Sequence, residues 1–85
     1  MQISELRSLG PKSQEMLAAA GIRTVDELHE IGAVAAYVRV RKVRPRASLN
    51  LLWALESALT GIPWQEVARQ HRTSLLLAVD AAERI

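Results

Sequence analysis

The sequence has no cysteine and no phenylalanine among its 85 residues. Without cysteine there is no disulfide, no cysteine-ligated zinc site and no thiol chemistry, and nothing indicates an oxidising compartment. A chain of this length buries only about 60–65% of its unfolded surface, so it needs a densely packed core. Leucine, alanine, valine and isoleucine supply most of the 49% hydrophobic content. We therefore expect a single domain over residues 1–85.

Long apolar runs are missing as well. No segment approaches the roughly 18 apolar residues of a membrane span, and the start Met-Gln-Ile-Ser-Glu does not resemble a signal peptide. We expect a cytoplasmic protein with no membrane partner.

Patterns of catalytic or metal-ligating residues are also absent. His29 and His71 are far apart in sequence, and neither has cysteine or carboxylate partners at metal-binding spacing. No G-x-S-x-G motif occurs, and Gly10 stands alone rather than in a nucleotide-binding glycine loop. We expect surface histidines, no enzymatic activity, no metal and no cofactor.

Acidic residues are missing from one segment of the chain. Residues 33–48 carry five cations and no acid, whereas residues 1–32 have a net charge of −2 and residues 49–85 one of −1, which together give the overall +2. Such a concentration of one sign indicates either a nucleic-acid-binding patch or the solvated face of an amphipathic helix. Cations near a helix C-terminus also complement the helix dipole.

The local sequence signals are clearest between residues 8 and 28, where they predict two helices and the turns around them. Gly10 is expected to adopt a left-handed or strained turn conformation, followed by proline at the first position of a helix over residues 11–20. Gly21 is expected to end that helix with positive φ, and Ile22 to contact Leu17. Thr24 and Glu27 predict a capping box at the start of the next helix, over residues 25–31.

Residues 33–44 are ambiguous, because Val38–Arg41 alternate like a strand while Ala33, Ala36, Tyr37, Val40 and Val43 form a helical stripe. No second segment could pair with a strand, so we predict a helix that ends before Pro45, and no strand anywhere.

Four further helices complete the predicted fold, an all-α, compact single domain of five to seven short helices. Ser4 is expected to cap a short helix over residues 5–8, and Ser48 to cap a central helix over Leu49–Thr60 that stops at Gly61. A helix beginning at Pro63 turns Trp64, Val67 and Ala68 inward and ends near His71. Thr73 is expected to cap the last helix, whose core-facing residues are Leu75, Leu76, Val79 and Ala82.

Two segments are candidates for function. The loop of residues 8–13 leads into a helix N-terminus, where free N–H groups suit a phosphate, although it is equally typical of a structural corner between helices. The segment from Arg39 to Arg46 is the second. Trp53 and Trp64 are interpreted as core anchors rather than as stacking platforms for bases, because neither lies among the arginines. The candidate nucleic-acid or partner contacts are Gly10, Lys12, Ser13, Arg39, Arg41, Lys42, Arg44 and Arg46.

Two groups of residues resemble a known family. Residues 9–13, 20–22, Met16, Leu17, Thr24, Val25 and Leu28 resemble a helix-hairpin-helix element. Residues 32–37, 48–55, 58–61 and Trp64 extend the match. Together they are similar to the C-terminal domain of the TfoX/Sxy regulators of bacterial DNA transformation competence, over about residues 4–80.

The resemblance implies an all-helical regulatory domain that helps to switch on DNA-uptake genes together with a cyclic-AMP-responsive activator. It supplies no catalytic residue. The sequence departs from ordinary DNA-binding hairpins at Ser8, where those have a glycine, and it does not contain the N-terminal domain of two-domain family members.

Two functions are therefore open. The leading one is a non-enzymatic regulatory module that contacts DNA or a DNA-bound transcription complex. The alternative is a protein–protein adaptor, or a self-associating helical domain, without nucleic-acid contact. A continuous positive face from Lys12 to the 39–46 segment would favour DNA, and an exposed apolar patch beside the 8–13 loop would favour the adaptor.

Overall fold

The computed structural model describes residues 2–6 and 8–84, which fold into a 3-10 turn and five α-helices. Across these residues no strand is formed, so the all-α prediction is confirmed. None of the described helices is both long enough and apolar enough to cross a membrane. The turn is Ile3–Glu5, and the helices are α1 Pro11–Ala19, α2 Val25–Val43, α3 Leu49–Thr60, α4 Trp64–Gln70 and α5 Arg72–Glu83.

The core lies where α2 packs against both α3 and α5. Helix α4 covers another side of α3, and α1 packs on α2 and on the 3-10 turn. The predicted central role of α3 agrees with its burial, since Leu52 and Leu55 are completely inaccessible to solvent. The fully buried apolar and aromatic side chains from the rest of the fold are Ile3, Leu17, Ile22, Leu28, Ala36, Tyr37, Val40 and Val67.

The joint at Gly21 has the predicted geometry. Gly21 has φ of +87°, and its N–H donates to the Ala18 carbonyl at 3.0 Å. The Ile22 N–H reaches the Leu17 carbonyl at 2.8 Å, and both of these side chains are buried. These two hydrogen bonds define a Schellman motif, which satisfies carbonyls that the end of α1 leaves free.

Helix α2 begins as predicted and breaks once. The Glu27 N–H donates to the Thr24 Oγ at 3.0 Å, as in the predicted capping box. The Glu27 carboxylate, however, accepts hydrogen bonds from the Thr24 hydroxyl (3.1 Å) and the Arg23 N–H (3.4 Å) rather than from the Thr24 N–H. Gly32 interrupts the helix with φ of +83°. The sequence prediction of two helical segments divided at Gly32 is therefore confirmed.

Residues 33–43 are helical, which confirms the helix predicted for this segment despite the strand-like alternation at Val38–Arg41. Ala33, Ala36, Tyr37 and Val40 face the core, but Val43 is 52% exposed and does not belong to the buried stripe. Val38 is buried in its place, because α5 packs on that side of α2.

Three predictions for the N-terminal segment were wrong. The helix expected at residues 5–8, of which Arg7 lies outside the described residues, is replaced by the earlier 3-10 turn, because Leu6 is extended with ψ of 151°. Ser4 does not cap a helix; its N–H donates to Gln14 Oε1 at 2.8 Å. Gly10 is extended at φ −129°, and the positive φ of this loop belongs to Ser8 at +69°.

The C-terminal half has the predicted order of helices with three corrections. Ser48 occupies the N-cap position of α3, but its side chain makes no capping hydrogen bond. Trp64 is 43% exposed rather than inward, because Val67 and Ala68 take the core-facing positions of the short α4. Helix α5 begins at Arg72 with His71 as N-cap, so Thr73 is not the cap.

Candidate functional site

Arg44 and Arg46 project from a tight turn that follows α2. The Ala47 N–H donates to the Arg44 carbonyl at 3.0 Å, which closes a β-turn with Pro45 at its second position, where proline is favoured. The hydroxyl of the buried Tyr37 donates to the Ala47 carbonyl at 3.1 Å. Both arginines are exposed, and the backbone that carries them is fixed by these two hydrogen bonds.

Arg41 differs from the cations around it. Its Nε lies 3.4 Å from Oε2 of Glu83 on α5, and its guanidinium carbon lies 5.7 Å from the centre of the Tyr37 ring. The side chain is therefore engaged within the molecule, where it supports the tyrosine that holds the turn. Sequence alone grouped Arg41 with the contact cations because the partner carboxylate is distant in the chain.

The Tyr37 hydroxyl is electrostatically coupled to this cluster. Burial raises the pKa of Tyr37 above its ordinary value, while the Arg41 guanidinium acts in the opposite direction and Glu83 adds to the rise. The phenol therefore stays protonated at neutral pH and keeps donating to the Ala47 carbonyl.

Two hollows in the surface meet at Met16 on α1. The first, of about 460 Å³, is lined by Met16, Arg44, Pro45, Arg46 and Ala47. The second, of about 290 Å³, has Met16 in common with it and is otherwise lined by Ser8, Lys12, Ser13, Ser48, Asn50, Leu51 and Ala54. None of the described residues that line these two hollows is acidic. The structure thus brings Lys12 and Ser13 onto one surface with Arg44 and Arg46.

A third hollow of about 210 Å³ extends this surface to Trp64. It shares Ser8, Asn50 and Ala54 with the second hollow, and the exposed indole of Trp64 is its remaining lining residue. We call the three connected hollows the groove. It runs from the Arg44–Ala47 turn, past the 8–13 loop and the first turns of α3, to the start of α4.

Ser8 anchors the 8–13 loop to α3. Its Oγ lies 3.1 Å from the Oγ of Ser57, a side chain that is completely buried. Because the Ser57 hydroxyl is completely buried, this hydrogen bond is a specific attachment of the loop to the centre of the fold. Sequence reasoning missed the pair, since 49 residues separate the two serines.

None of the remaining predicted contacts lines the groove. Arg39 and Lys42 are both exposed and stand three residues apart on one face of α2, so they are neighbours on the helix surface. Lys42 and Pro45 line a further hollow on the other side of the turn, next to the Arg41–Glu83 pair. Gly10 is half-buried at the N-cap of α1, with open space beside its Cα. The cationic band comprises Lys12, Arg39, Lys42, Arg44 and Arg46.

No group of three or more histidine, cysteine or carboxylate side chains that could hold a metal ion occurs within residues 2–6 and 8–84. His29 is exposed, and His71 is half-buried between α4 and α5.

Sequence and structure comparisons place the chain among known proteins. The family model for the TfoX C-terminal domain matches residues 1–79. The crystal structure of an uncharacterised protein from Listeria monocytogenes, triclinic form, superimposes with a TM-score of 0.83 at 29% identity, covering 98% of this chain and 94% of that one. The tetragonal crystal structure of a protein of unknown function from Listeria monocytogenes gives a TM-score of 0.82 at 29% identity, with 93% and 98% covered. No curated protein sequence matches the chain significantly.

Proposed function

The chain belongs to the TfoX C-terminal domain family, and on that premise we propose that it is a non-enzymatic regulatory module for DNA transformation competence. It acts by contacting the nucleic-acid backbone through the cationic band, whose Lys12, Arg44 and Arg46 line the groove. The family resemblance supports the regulatory part of this proposal, and the geometry of the site supports the contact with nucleic acid.

One observation carries the backbone contact: Lys12 and the pair Arg44 and Arg46 lie on one surface, joined through Met16 and without a lining acid. Cations from two separate segments that converge in this way neutralise phosphates together, and the counterions they release drive binding. A merely solvated helix face would leave Lys12 apart from the arginines.

The fixed backbone that carries two of these cations also supports the proposed phosphate contact. Arg44 and Arg46 are held by the Pro45 turn and the Tyr37 hydroxyl, so little conformational entropy of the backbone is lost on binding. Few side chains on this surface could form specific hydrogen bonds with base edges. We therefore expect contacts with phosphates and only a weak preference for sequence.

A protein–protein adaptor is the second candidate, because the exposed Trp64 ring lies beside Ser8 of the 8–13 loop. Tryptophan, methionine and arginine are enriched in protein interfaces. A pull-down from bacterial lysate with and without nuclease separates direct protein partners from DNA-bridged ones.

The decisive experiment uses two charge-matched variants. Arg44→Glu/Arg46→Glu and Arg23→Glu/Arg69→Glu each lower the net charge by four, from +2 to −2. Arg23 and Arg69 are exposed and line none of the three hollows. Fluorescence anisotropy with a labelled duplex of mixed sequence should show at least about a tenfold loss for the first variant and a smaller one for the second, since distant charges are screened within about 8 Å at 0.15 M salt. Equal losses in both variants, or no binding by the wild type, would remove the proposal.

A further inference from the structure

We propose that the groove binds an unpaired nucleotide segment, with a base stacked on Trp64 and the backbone held by Lys12, Arg44 and Arg46. This inference rests on the proposed function and narrows its ligand to single-stranded nucleic acid.

Trp64 is the residue that the backbone contact leaves unexplained. The chain has two tryptophans, and Trp53 is a core residue that is only 3% exposed, whereas Trp64 is 43% exposed at the end of the groove. Its helix is anchored by Val67, which is completely buried. Trp64 stands one turn earlier, at the first position of α4, where the core no longer covers it.

A base face must be free to stack on this ring. In a duplex both faces of a base are covered by neighbouring pairs, so an exposed indole in a hollow finds no partner there. An unpaired base has a free face, and aromatic stacking of this kind is how proteins hold single strands without strong sequence preference. The ligand that uses the whole groove is therefore single-stranded.

The polar lining of the groove fits the same ligand. Asn50 is exposed and lines the two hollows that lead to Trp64. Its amide offers both donors and acceptors to the edge of a base next to the ring. Lys12 and Ser13 follow along the 8–13 loop, and the Arg44–Ala47 turn, called the arginine turn below, closes the far end. Aromatic and amide groups at one end with cations at the other match a strand whose bases and phosphates point to different parts of the surface.

The experiment uses the intrinsic fluorescence of the intact chain. An octamer of thymidylate (dT8) lies within the roughly 4–16 nucleotides that single-strand-binding folds cover. Titration with dT8 should quench and shift the tryptophan emission, because a base stacks on the indole of Trp64. The change can be assigned to Trp64, since the buried Trp53 is shielded from the ligand. Trp64→Phe should lose that signal, since its remaining tryptophan is in the core.

Affinities measured with labelled dT8 supply the second readout. Trp64→Ala should weaken dT8 binding by about 5- to 150-fold, the range expected for one lost stacking contact. The same variant should leave duplex binding unchanged, because no charge is removed. Leu77→Ala, an exposed apolar residue on α5 outside the groove, is the control and should change neither affinity.

The outcomes separate this inference from the proposed function. If Trp64→Ala and the wild type bind dT8 equally, but Arg44→Glu/Arg46→Glu still weakens duplex binding, the stacking site is wrong and backbone contact stands. If neither dT8 nor duplex binds, both fail. The remaining outcome is that dT8 does not bind, while a protein partner captured from nuclease-treated lysate is lost in Trp64→Ala. The Trp64 ring would then belong to a protein interface, and the stacking site would be wrong. A parallel titration with U8 tells DNA from RNA, and quenching by either one supports the stacking site.

Discussion

Backbone conformation at three small residues shapes the N-terminal third of the molecule. Gly21 has φ of +87° and Ser8 has φ of +69°, while Gly10 between them is extended. For a residue with a Cβ the left-handed region costs about 1–2 kcal/mol, because the Cβ approaches the following carbonyl. At Ser8 this conformational cost is offset by the hydrogen bond that attaches its loop to Ser57 on α3.

Introducing serine at each of the two glycines should have opposite effects. No atom lies within 4 Å of a Cβ built at Gly10 or at Gly21, so the difference between them is conformational. Gly21→Ser should lower the free energy of unfolding by about 1–2 kcal/mol. Gly10→Ser should leave it unchanged or raise it, because serine is a preferred N-cap in extended conformation. Urea denaturation measures both, and equal midpoints would mean that the Gly21 cap is absent.

Substitutions of Ser8 should reveal the strain and the hydrogen bond separately. Ser8→Ala keeps the strained backbone and leaves the buried Ser57 hydroxyl without this partner, which should cost about 1–3 kcal/mol. Ser8→Gly loses the same bond but relieves the strain, so it should be about 1 kcal/mol more stable than Ser8→Ala. A double-mutant cycle with Ser57→Ala checks the pairing. Additive effects of Ser8→Ala and Ser57→Ala would contradict the contact.

At the scale of elements, the turn after α2 depends on side chains from two helices. Tyr37 of α2 holds the Ala47 carbonyl, and Arg41 of α2 lies over the Tyr37 ring while it pairs with Glu83 of α5. Packing of α5 on α2 therefore supports the backbone that presents Arg44 and Arg46, although α5 itself contributes no residue to the groove.

The raised pKa of Tyr37 predicts a loss of stability in alkali. The unfolded chain releases the phenolic proton near pH 10, whereas the folded chain keeps it to a higher pH. Stability from this group is therefore complete below about pH 10 and declines as pH rises through the folded pKa. Tyr37→Phe should lack this decline and should lose about 0.5–1.5 kcal/mol at neutral pH with the hydrogen bond to Ala47.

The measurement is direct because Tyr37 is the one tyrosine of the chain. Its ultraviolet absorbance titration reports the folded pKa, and urea denaturation of both proteins across the alkaline range reports stability. A phenol that titrates at or below the ordinary tyrosine value would contradict the buried hydrogen bond.

Much of this element order could be predicted because the signals are local. Gly21, Gly32 and Gly61 each mark a helix end or break and each has positive φ in the structure, while Thr24 caps α2. The errors at Ser4, Thr73 and Trp64 lie at helix starts, where several polar residues compete for the cap and a short helix leaves its first side chain uncovered. Propensity alone does not decide between such neighbours.

At the scale of the whole molecule, the groove depends on contacts between residues far apart in the chain. The basic composition of residues 33–48 was visible in the sequence, but the pairing of Arg41 with Glu83 and the approach of Lys12 to the arginine turn are tertiary. The sequence pattern predicts Trp64 in the core, because it shares a helix face with Val67 and Ala68 and does not lie among the arginines. Its exposure follows from the packing of α4 on α3, which no local pattern encodes.

The size of the molecule limits how many phosphates it can reach. Its longest dimension is 30 Å, which corresponds to about nine phosphates along one strand at a spacing of 3.4 Å. Three cations line the groove, Lys12, Arg44 and Arg46, and Arg39 and Lys42 are exposed on α2, so we expect three or four phosphate contacts. A short duplex is therefore a sufficient probe.

The central claim is that Lys12 and the arginine turn form one phosphate-binding surface. The salt dependence of duplex binding tests this claim most directly. Three or four contacts predict a slope of log K against log salt concentration of roughly −3 to −4, at about −0.9 per contact. Lys12→Gln should make the slope less steep by about 0.9, and so should Arg46→Gln, while Arg23→Gln should leave it unchanged. Binding with no salt dependence, or a slope that Lys12→Gln and Arg23→Gln change equally, would contradict the account.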